Sequence, residues 1–282
     1  TTFEMLSGHV EKIKLFLSNY DKDNWIMEEV HGEGRAKRKF VFRPIDVSPW
    51  TQKYLFRCGQ KILMMSATIL NKDAFCDNLG IAREEAAFIS IPSPFPIENR
   101  LIHYFPVGKM SAKEIDRTLP KLAEIVKEIV NQHKGQKGII HCHSYKIAHY
   151  LKKNVRSKRL LIHNSENRDA ILKEHEISKR DTVLLSPSMS EGVDLKGDLS
   201  RFQILCKVPY PYLGDQIVKK RMNKRTSWYP LQTAKTIVQS VGRSVRSVDD
   251  QATTYILDQD WSRFFGRNKQ FFPDDFKKAL RD

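Results

Sequence analysis

Beyond residue 110, short apolar runs alternate with amphipathic stretches, a pattern in which strands and helices follow one another. It predicts strands over residues 138–142, 160–163, 183–185, 202–208 and 253–257, and helices over 114–133, 144–154, 168–177 and 231–245. Strands and helices joined by short connections are typical of an α/β fold, in which helices cover both faces of a parallel sheet. In such sheets ligands bind beyond the carboxyl ends of the strands.

The first ninety residues are less regular. They predict a helix over 8–20, a strand over 40–47, a short buried strand over 61–66 (KILMMS) and a helix over 74–79 that ends at Gly80. Residues 91–100 contain three prolines, which exclude a helix or a central strand because proline lacks the amide donor and has a fixed φ. We therefore expect a linker there, between a first domain and a second one.

Charge and cysteine content narrow the choice of partner and compartment. The chain has 48 Lys and Arg against 33 Asp and Glu, a formal net charge of +15. Such an excess attracts polyanions, of which nucleic acid is the commonest, although it can also serve solubility alone. The longest apolar runs are short, such as 62–65, so no membrane partner is expected. The four cysteines form no CxxC pair and suit a reducing compartment, the cytoplasm or, in a eukaryote, the nucleus.

The strongest chemical signal is the segment 239–246, Gln-Ser-Val-Gly-Arg-Ser-Val-Arg. If it is helical, Arg243 and Arg246 lie three residues apart on one helix face. Paired guanidinium groups are always charged and donate in a bidentate manner, which suits the charge that develops on a polyphosphate. Gly242 leaves room for a close approach at that point. The structural alternative is a solvated basic face.

The pattern Gln-x-x-Gly-Arg-x-x-Arg resembles motif VI of superfamily 2 helicases, and other segments resemble further motifs of that family in the same order. Residues 66–68 (SAT) resemble motif III, 140–145 (IHCHSY) occupy the place of motif IV, and 186–195 (SPSMSEGVDL) resemble motif V. Residues 44–48 (PIDVS) and 93–100 (SPFPIENR) are similar to signatures of the XPD/DinG branch. Because these segments span most of the chain, it resembles the C-terminal part of an XPD/DinG-type DNA helicase.

This resemblance implies two RecA-like domains with ATP and single-stranded DNA bound at their cleft. It assigns residues 1–90 to the end of helicase domain 1, 91–110 to a linker and 111–282 to helicase domain 2. Arg246 matches the arginine finger, Arg243 a second γ-phosphate contact, and Gln239 the residue that orders motif VI near the nucleotide. The same match assigns two further groups of residues. The residues assigned to nucleotide binding are Ser66, Thr68, Glu191, Gly192, Asp194 and Gly242. The residues assigned to DNA binding are Ser144, Tyr145, Ser186, Ser188 and Ser190.

Other parts of the family pattern are missing from the sequence. It has no G-x-x-x-x-G-K-[ST] segment and no Asp-Glu dipeptide, the elements that hold Mg²⁺ and the β- and γ-phosphates. The family's four-cysteine iron–sulfur pattern is also not found. We therefore expect part of a motor that moves 5′→3′ on single-stranded DNA. Its Mg²⁺ ligands and any iron–sulfur cluster are expected in a helicase domain 1 segment outside this sequence, without which the chain does not hydrolyse ATP.

A second function stays open beside the helicase. The chain can be a nucleic-acid-binding or regulatory module that keeps the fold without hydrolysis, or a partner chain can complete the ATP site. Basic runs at 35–39, 152–159 and 219–225 either line a DNA path or are solvated faces. The aromatic residues Trp228 and Tyr229 either stack on bases or pack internally.

Two groups of residues allow another interpretation. The serines assigned to DNA can equally be helix caps or turn residues. His141, Cys142, His143 and His163 suggest a zinc site, but strand alternation puts Cys142 on the face opposite the two neighbouring histidines. We therefore expect no metal site within this chain.

Overall fold

The computed structural model describes residues 2–30, 38–164, 166–187 and 195–281. Contacts divide the chain into two units. The first contains Thr1–Met65, Lys72–Phe88 and Pro211–Tyr229, and the second contains Ser66–Asn71, Ile89–Tyr210 and Pro230–Asp282. Within the described ranges, no helix combines the length and the apolar character needed to cross a membrane.

The helices and strands follow the chain in a mixed order. The helices are α1 (Thr2–Asn19), α2 (Thr51–Tyr54), α3 (Lys72–Leu79), α4 (Ile115–Gln132), α5 (Tyr145–Asn154), α6 (Arg168–Ile177), α7 (Gln216–Lys224), α8 (Trp228–Val241), α9 (Asp260–Asn268) and α10 (Asp274–Ala279). The strands are β1 (Trp25–Val30), β2 (Lys39–Pro44), β3 (Ile102–Gly108), β4 (Gly138–His141), β5 (Leu160–Ile162), β6 (Val183–Ser186), β7 (Phe202–Leu205), β8 (Thr253–Asp258) and β9 (Leu280–Arg281).

An antiparallel hairpin of β1 and β2 organises the first unit. The ring of Phe16 on α1 lies 4.6 Å from that of Phe42 and 5.4 Å from that of Trp25, measured between centroids. Helix α3 ends at Gly80, whose φ is +63°. A Cβ at this position would lie 2.7 Å from the carbonyl oxygen of Ser48, so glycine is required and the predicted helix end is confirmed.

The second unit is built on a seven-stranded sheet in the order β5-β6-β4-β7-β8-β3-β9. Every neighbouring pair in it is parallel. Strands β4, β6 and β7 are buried along their whole length, as strands covered by helices on both faces must be. The predicted α/β class is therefore confirmed.

The apolar stripe of α4 supplies much of the core on one face of this sheet. Leu122 and Val126 on α4 are fully buried, and they belong to one cluster with Ile140 of β4, Ile147 of α5 and Ile204 of β7. Burying a side chain of this size stabilises the fold by about 1.5–3 kcal/mol. The helical spacing of these residues explains why α4 is the element that the sequence predicts best.

The apolar run at 61–66 does not form the predicted strand. Leu63 and Met65 are instead 82% and 84% exposed. An apolar run becomes a strand only where a neighbouring strand satisfies its backbone groups, and no strand pairs with this run in the described part of the chain.

The predicted linker over 91–110 is wrong in its second part, because β3 lies in the sheet between β8 and β9. Pro106 is accommodated there because the register of β3 against β8 shifts between Tyr104 and Gly108. The contact units also differ from the predicted domains, since residues 211–229 group with the first unit.

Candidate functional site

Most of the predicted site residues gather at two places in the second unit. One is the carboxyl edge of the sheet, where β4 and β6 end at the paired residues His141 and Ser186. The other is the segment 242–252 between α8 and β8, which leads into the amino end of β8. We call this segment the arginine loop, because it contains Arg243 and Arg246.

The two arginines do not share a helix face, so that prediction is wrong. Helix α8 ends two residues before Arg243. The amide of Gly242 still donates to a carbonyl of α8 at 2.9 Å, but that of Arg243 reaches only Ser240 O, at 3.4 Å. Glycine is a poor helix former, and the chain turns away here. Arg243 is consequently 5% exposed, whereas Arg246 is exposed.

The structure brings Gln239 and the Ser-Ala-Thr segment together. Gln239 Nε2 on α8 donates to Thr68 Oγ1 at 3.2 Å. The amide of Thr68 in turn donates to Ser66 Oγ at 3.3 Å. Three predicted nucleotide-site residues therefore form one chain of hydrogen bonds, although 171 positions separate Gln239 from Thr68.

A buried pair, His141 and Gln203, links the sheet to the end of α8. Gln203 Nε2 donates to Val241 O at 2.6 Å and to Thr254 Oγ1 at 2.9 Å. Its Oε1 therefore faces His141 Nε2, at 3.4 Å, and accepts from it. Burial lowers the pKa of His141 to about 3, and the charge of Arg243 adds to this effect. His141 is thus neutral at pH 7, with its proton on Nε2.

The loop after β4 carries two residues assigned to DNA. Ser144 is the N-cap of α5, where its Oγ accepts from the amide of Ile147 at 3.5 Å. Tyr145 is 44% exposed. His143, which precedes Ser144, has a φ of +47°, which a side-chain-bearing residue rarely adopts. Burial lowers the pKa of His143 to about 4, helped by the charge of Lys207.

Ser186, the first residue of the motif V match, is the last residue of β6. It is 2% exposed, and its carbonyl accepts from the amide of Cys142 at 2.9 Å. The remaining predicted residues of this motif, Ser188, Ser190, Glu191, Gly192 and Asp194, lie outside the described residues. Their assigned roles stay predictions.

Several cations of the basic runs bind the protein itself. Arg159 donates to the carbonyl groups of Val130, His133, Gln136 and Asp181. In the first unit, Arg221 donates to the carbonyls of Pro44 and Ile45, and Arg225 to the side chains of Asn78 and Asp46. Lys152 likewise donates to Leu160 O, and Lys224 forms an ion pair with Asp46. All of these side chains stabilise the fold, so the candidate DNA contacts in the two runs are the remaining lysines and arginines.

The aromatic pair after the third basic run also has internal contacts. The guanidinium of Arg221 lies 5.8 Å from the ring centroid of Trp228, and Tyr229 donates from its hydroxyl to Pro211 O at 3.0 Å. These contacts account for both side chains within the first unit. They favour internal packing over base stacking.

The zinc alternative finds no support in the described ranges. Over these residues, no group of three or more His, Cys, Asp or Glu side chains is arranged to hold a metal ion. The rings of His141 and His143 stack with their centroids 6.0 Å apart. Cys142 is fully buried in the core cluster instead.

Three residues that belong to none of the motif segments hold the arginine loop in place, two from outside it and one from within it. They are Ser200, Gln203 and Asp250. Of these three, only Asp250 could have been suspected from the sequence, because Asp249 and Asp250 are the first acidic residues after a cationic segment. Ser200 and Gln203 are distant in sequence and belong to no motif.

Comparison with known proteins agrees with this architecture. The family model of the helicase C-terminal domain matches residues 126–279, more than half of the chain. The chain is 25% identical over 297 residues to the ATP-dependent DNA helicase YoaA of Haemophilus influenzae, with 99% of this chain and 44% of that protein covered. It is 24% identical over 281 residues to the ATP-dependent DNA helicase DinG of Photobacterium profundum, with 89% and 40% covered. The chain thus spans less than half the length of these relatives.

Solved structures show the same fold. An apo XPD structure superposes with a TM-score of 0.65 at 18% identity, covering 96% of this chain and 57% of that one. An XPD helicase structure gives 0.62 at 18% identity, covering 83% and 45%. This likeness confirms the predicted RecA-like class. With the family model, the ordered motif segments and these relatives in agreement, the chain belongs to the helicase C-terminal domain family, as the C-terminal region of an XPD/DinG-type superfamily 2 helicase.

Proposed function

We propose that this chain is the arginine-bearing half of an ATP-driven motor that moves 5′→3′ along single-stranded DNA and unwinds duplexes. The observation that carries the proposal is the arginine loop, which contains a buried Arg243 and an exposed Arg246 and directly follows α8, whose Gln239 donates to Thr68. The named activity of the relatives, ATP-dependent DNA helicase, supports the same conclusion.

The two arginines fit one end of ATP. Guanidinium groups are permanently charged and donate in a planar fork, which matches the oxygens of a terminal phosphate. Arg246 is exposed and can reach a bound nucleotide, where it would stabilise the charge that spreads over the γ-phosphoryl group as it is transferred. Arg243 is 5% exposed, so its side chain has less freedom to move than that of the exposed Arg246.

The rest of the nucleotide needs residues that this sequence lacks. Within the described ranges no cluster of carboxylates or histidines is arranged for a cation, and the sequence has no phosphate-binding glycine-rich loop. In our proposal ATP supplies the free energy for movement, and the ligands of Mg²⁺ and of the β-phosphate come from a first helicase domain outside this sequence. The protein acts in the cytoplasm, or in the nucleus of a eukaryote.

The carboxyl edge of the sheet is the proposed DNA contact. The oxygen of Ser144 accepts from the helix backbone, which leaves its proton available to a phosphate oxygen. Tyr145 beside it is exposed and can stack on a base. The net charge of +15 adds attraction that does not depend on sequence, so binding is expected to weaken as salt is raised.

The test is ATP hydrolysis by the full-length protein with saturating single-stranded DNA. Arg246→Ala is expected to lower kcat by on the order of 10³-fold, because the developing charge loses its partner, while the Kd for DNA changes less than about two-fold. Arg267→Ala, which removes an exposed arginine from α9, is the matched control and should leave both values unchanged.

Two results would argue against the proposal. Equal hydrolysis by Arg246→Ala and the parent would exclude the finger assignment. DNA binding without any hydrolysis by the full-length parent would favour the second function, a binding or regulatory module that keeps the RecA-like fold.

A further inference from the structure

The arginine loop is held by buried polar groups that belong to none of the helicase motifs. Three contacts hold it in place. Gln203 binds the backbone carbonyl of Val241 just before the loop, Ser200 binds the hydroxyl of Ser244 just after Arg243, and Asp250 binds the backbone amide of Arg246. Each contact comes from a side chain that is less than 10% exposed.

Gln203 holds the loop where it leaves α8. Its side chain is 1% exposed, and its amide nitrogen donates to Val241 O at 2.6 Å, two residues before Arg243. Thr254 and His141 fix the orientation of this amide, because Nε2 also donates to Thr254 Oγ1 and Oε1 accepts from His141 Nε2. Reversing the amide would place its oxygen against a carbonyl oxygen, so one orientation is selected.

Ser200 holds the loop directly after Arg243. The hydroxyl oxygens of Ser200 and Ser244 lie 2.6 Å apart, and both residues are fully buried. Ser200 donates its proton to Phe202 O at 3.2 Å, at the start of β7. Since a hydroxyl has only one proton, Ser244 must donate to Ser200. The residue after Arg243 is thereby tied to the amino end of a central strand.

Asp250 holds the turn that carries Arg246. Its Oδ2 accepts from the amide of Arg246 at 3.0 Å and from that of Ser247 at 3.1 Å. Asp250 is 7% exposed. Two amide donors that converge on one buried carboxylate oxygen determine the direction of the backbone at Arg246, and therefore the point from which its side chain extends.

We propose that Asp250, Ser200 and Gln203 are positioning residues for ATP hydrolysis, which fix the backbone so that Arg243 and Arg246 meet the nucleotide in one geometry. This inference rests on the proposed function, because it needs the two arginines to act on the phosphate. A long arginine side chain on a loose loop would reach the phosphate only part of the time. A displacement of about 1 Å in a catalytic group can lower a rate by about 10²-fold.

The experiment compares four single variants and one double variant of the full-length protein by DNA-stimulated ATP hydrolysis. Asp250→Ala is expected to lower kcat by at least about ten-fold, while KM for ATP and Kd for single-stranded DNA stay within about two-fold. Asp250→Asn is expected to recover most of kcat, because an amide oxygen can accept from the same two amides. Asp249→Ala, which removes the same charge from the exposed neighbour, is the control and should match the parent.

Ser200→Ala tests the second contact and keeps the proposal falsifiable if Asp250→Ala fails to fold. It removes one hydroxyl with little change of shape, so it should lower kcat at unchanged KM. Combining it with Ser244→Ala should cause no further loss, because either change alone breaks the same hydrogen bond.

The outcomes separate this inference from the proposed function. Normal kcat in Asp250→Ala, an equal loss in Asp249→Ala, or failure of Asp250→Asn to recover activity would each overturn the positioning role. If Arg246→Ala loses hydrolysis while Asp250→Ala and Ser200→Ala keep it, positioning fails and the finger assignment stands. If Arg246→Ala keeps hydrolysis, the proposed function itself fails.

Discussion

The buried histidine His175 allows a quantitative prediction of how stability depends on pH. His175 lies on α6 and is fully buried, and its Nε2 donates to Leu199 O at 2.8 Å while its Nδ1 accepts from Thr182 Oγ1 at 2.8 Å. Burial lowers the pKa of His175 to about 4, and the charge of Lys137 acts in the same direction. The folded state therefore keeps this ring neutral at a pH where the unfolded chain does not.

The size of the change in stability follows from the difference between the pKa of His175 in the unfolded state and in the folded state. An unfolded histidine has a pKa of about 6.5, so between that pH and about 4 the unfolded state binds a proton that the native state does not. The stability contributed by the lowered pKa is complete above this window and falls as the pH drops through it. At about 1.4 kcal/mol per pKa unit, going from pH 7 to 5 lowers the free energy of unfolding by about 2 kcal/mol through His175 alone.

His175→Gln isolates this contribution, because a glutamine amide can donate to Leu199 O and accept from Thr182 but does not titrate. The free energy of unfolding is measured by urea unfolding, followed by circular dichroism, between pH 7 and 5. Below pH 6 it should fall less steeply with decreasing pH in the variant than in the parent, by about 1.4 kcal/mol per pH unit. His149→Gln is the control, since that ring is exposed on α5 in the folded state as well. Identical pH dependence in His175→Gln and the parent would refute the reasoning.

Two further predictions concern the sheet, and urea unfolding at pH 7 measures both. Gly138→Ala is expected to lower the free energy of unfolding by about 1–3 kcal/mol, because the new Cβ would lie 2.5 Å from the buried ring of Phe202. Gly266→Ala, at an exposed position of α9 where a Cβ meets nothing within 4 Å, should instead raise the free energy of unfolding by up to about 1 kcal/mol, and a loss there would contradict the argument. Asp258→Ala should lower the free energy of unfolding by at least about 3 kcal/mol, because the buried carboxylate of Asp258 accepts from three backbone amides. An unchanged unfolding midpoint would show that these amides find other partners.

Local pattern predicted most of the second unit. The stripe of α4 and the short apolar runs of β4, β6 and β7 have the periods that a helix and a buried strand require, so they could be predicted without knowing their neighbours. The run at 61–66 has an equally apolar composition and is no strand, because strand formation depends on a partner strand rather than on composition. Strand β3 was missed for the opposite reason, since a proline stands inside a run that the sheet nevertheless accepts.

The order of the motif segments alone indicated the helicase family, and the fold and the family model agree with it. Residue types also indicated which side chains could act on phosphate, because arginine has few substitutes in that role. What the sequence alone determined is thus the chemistry that each segment can offer and the local structure that its periodicity favours.

Only the tertiary structure decided how that chemistry is presented. It ends α8 before Arg243, buries Arg243 and leaves Arg246 exposed. It ties the arginine loop to Ser200 across 44 positions, and it ties the helix before the loop to Gln203 across 38. Contacts over such separations depend on which strands become neighbours in the sheet, and a periodic pattern describes only the surroundings of a residue within a few positions of it.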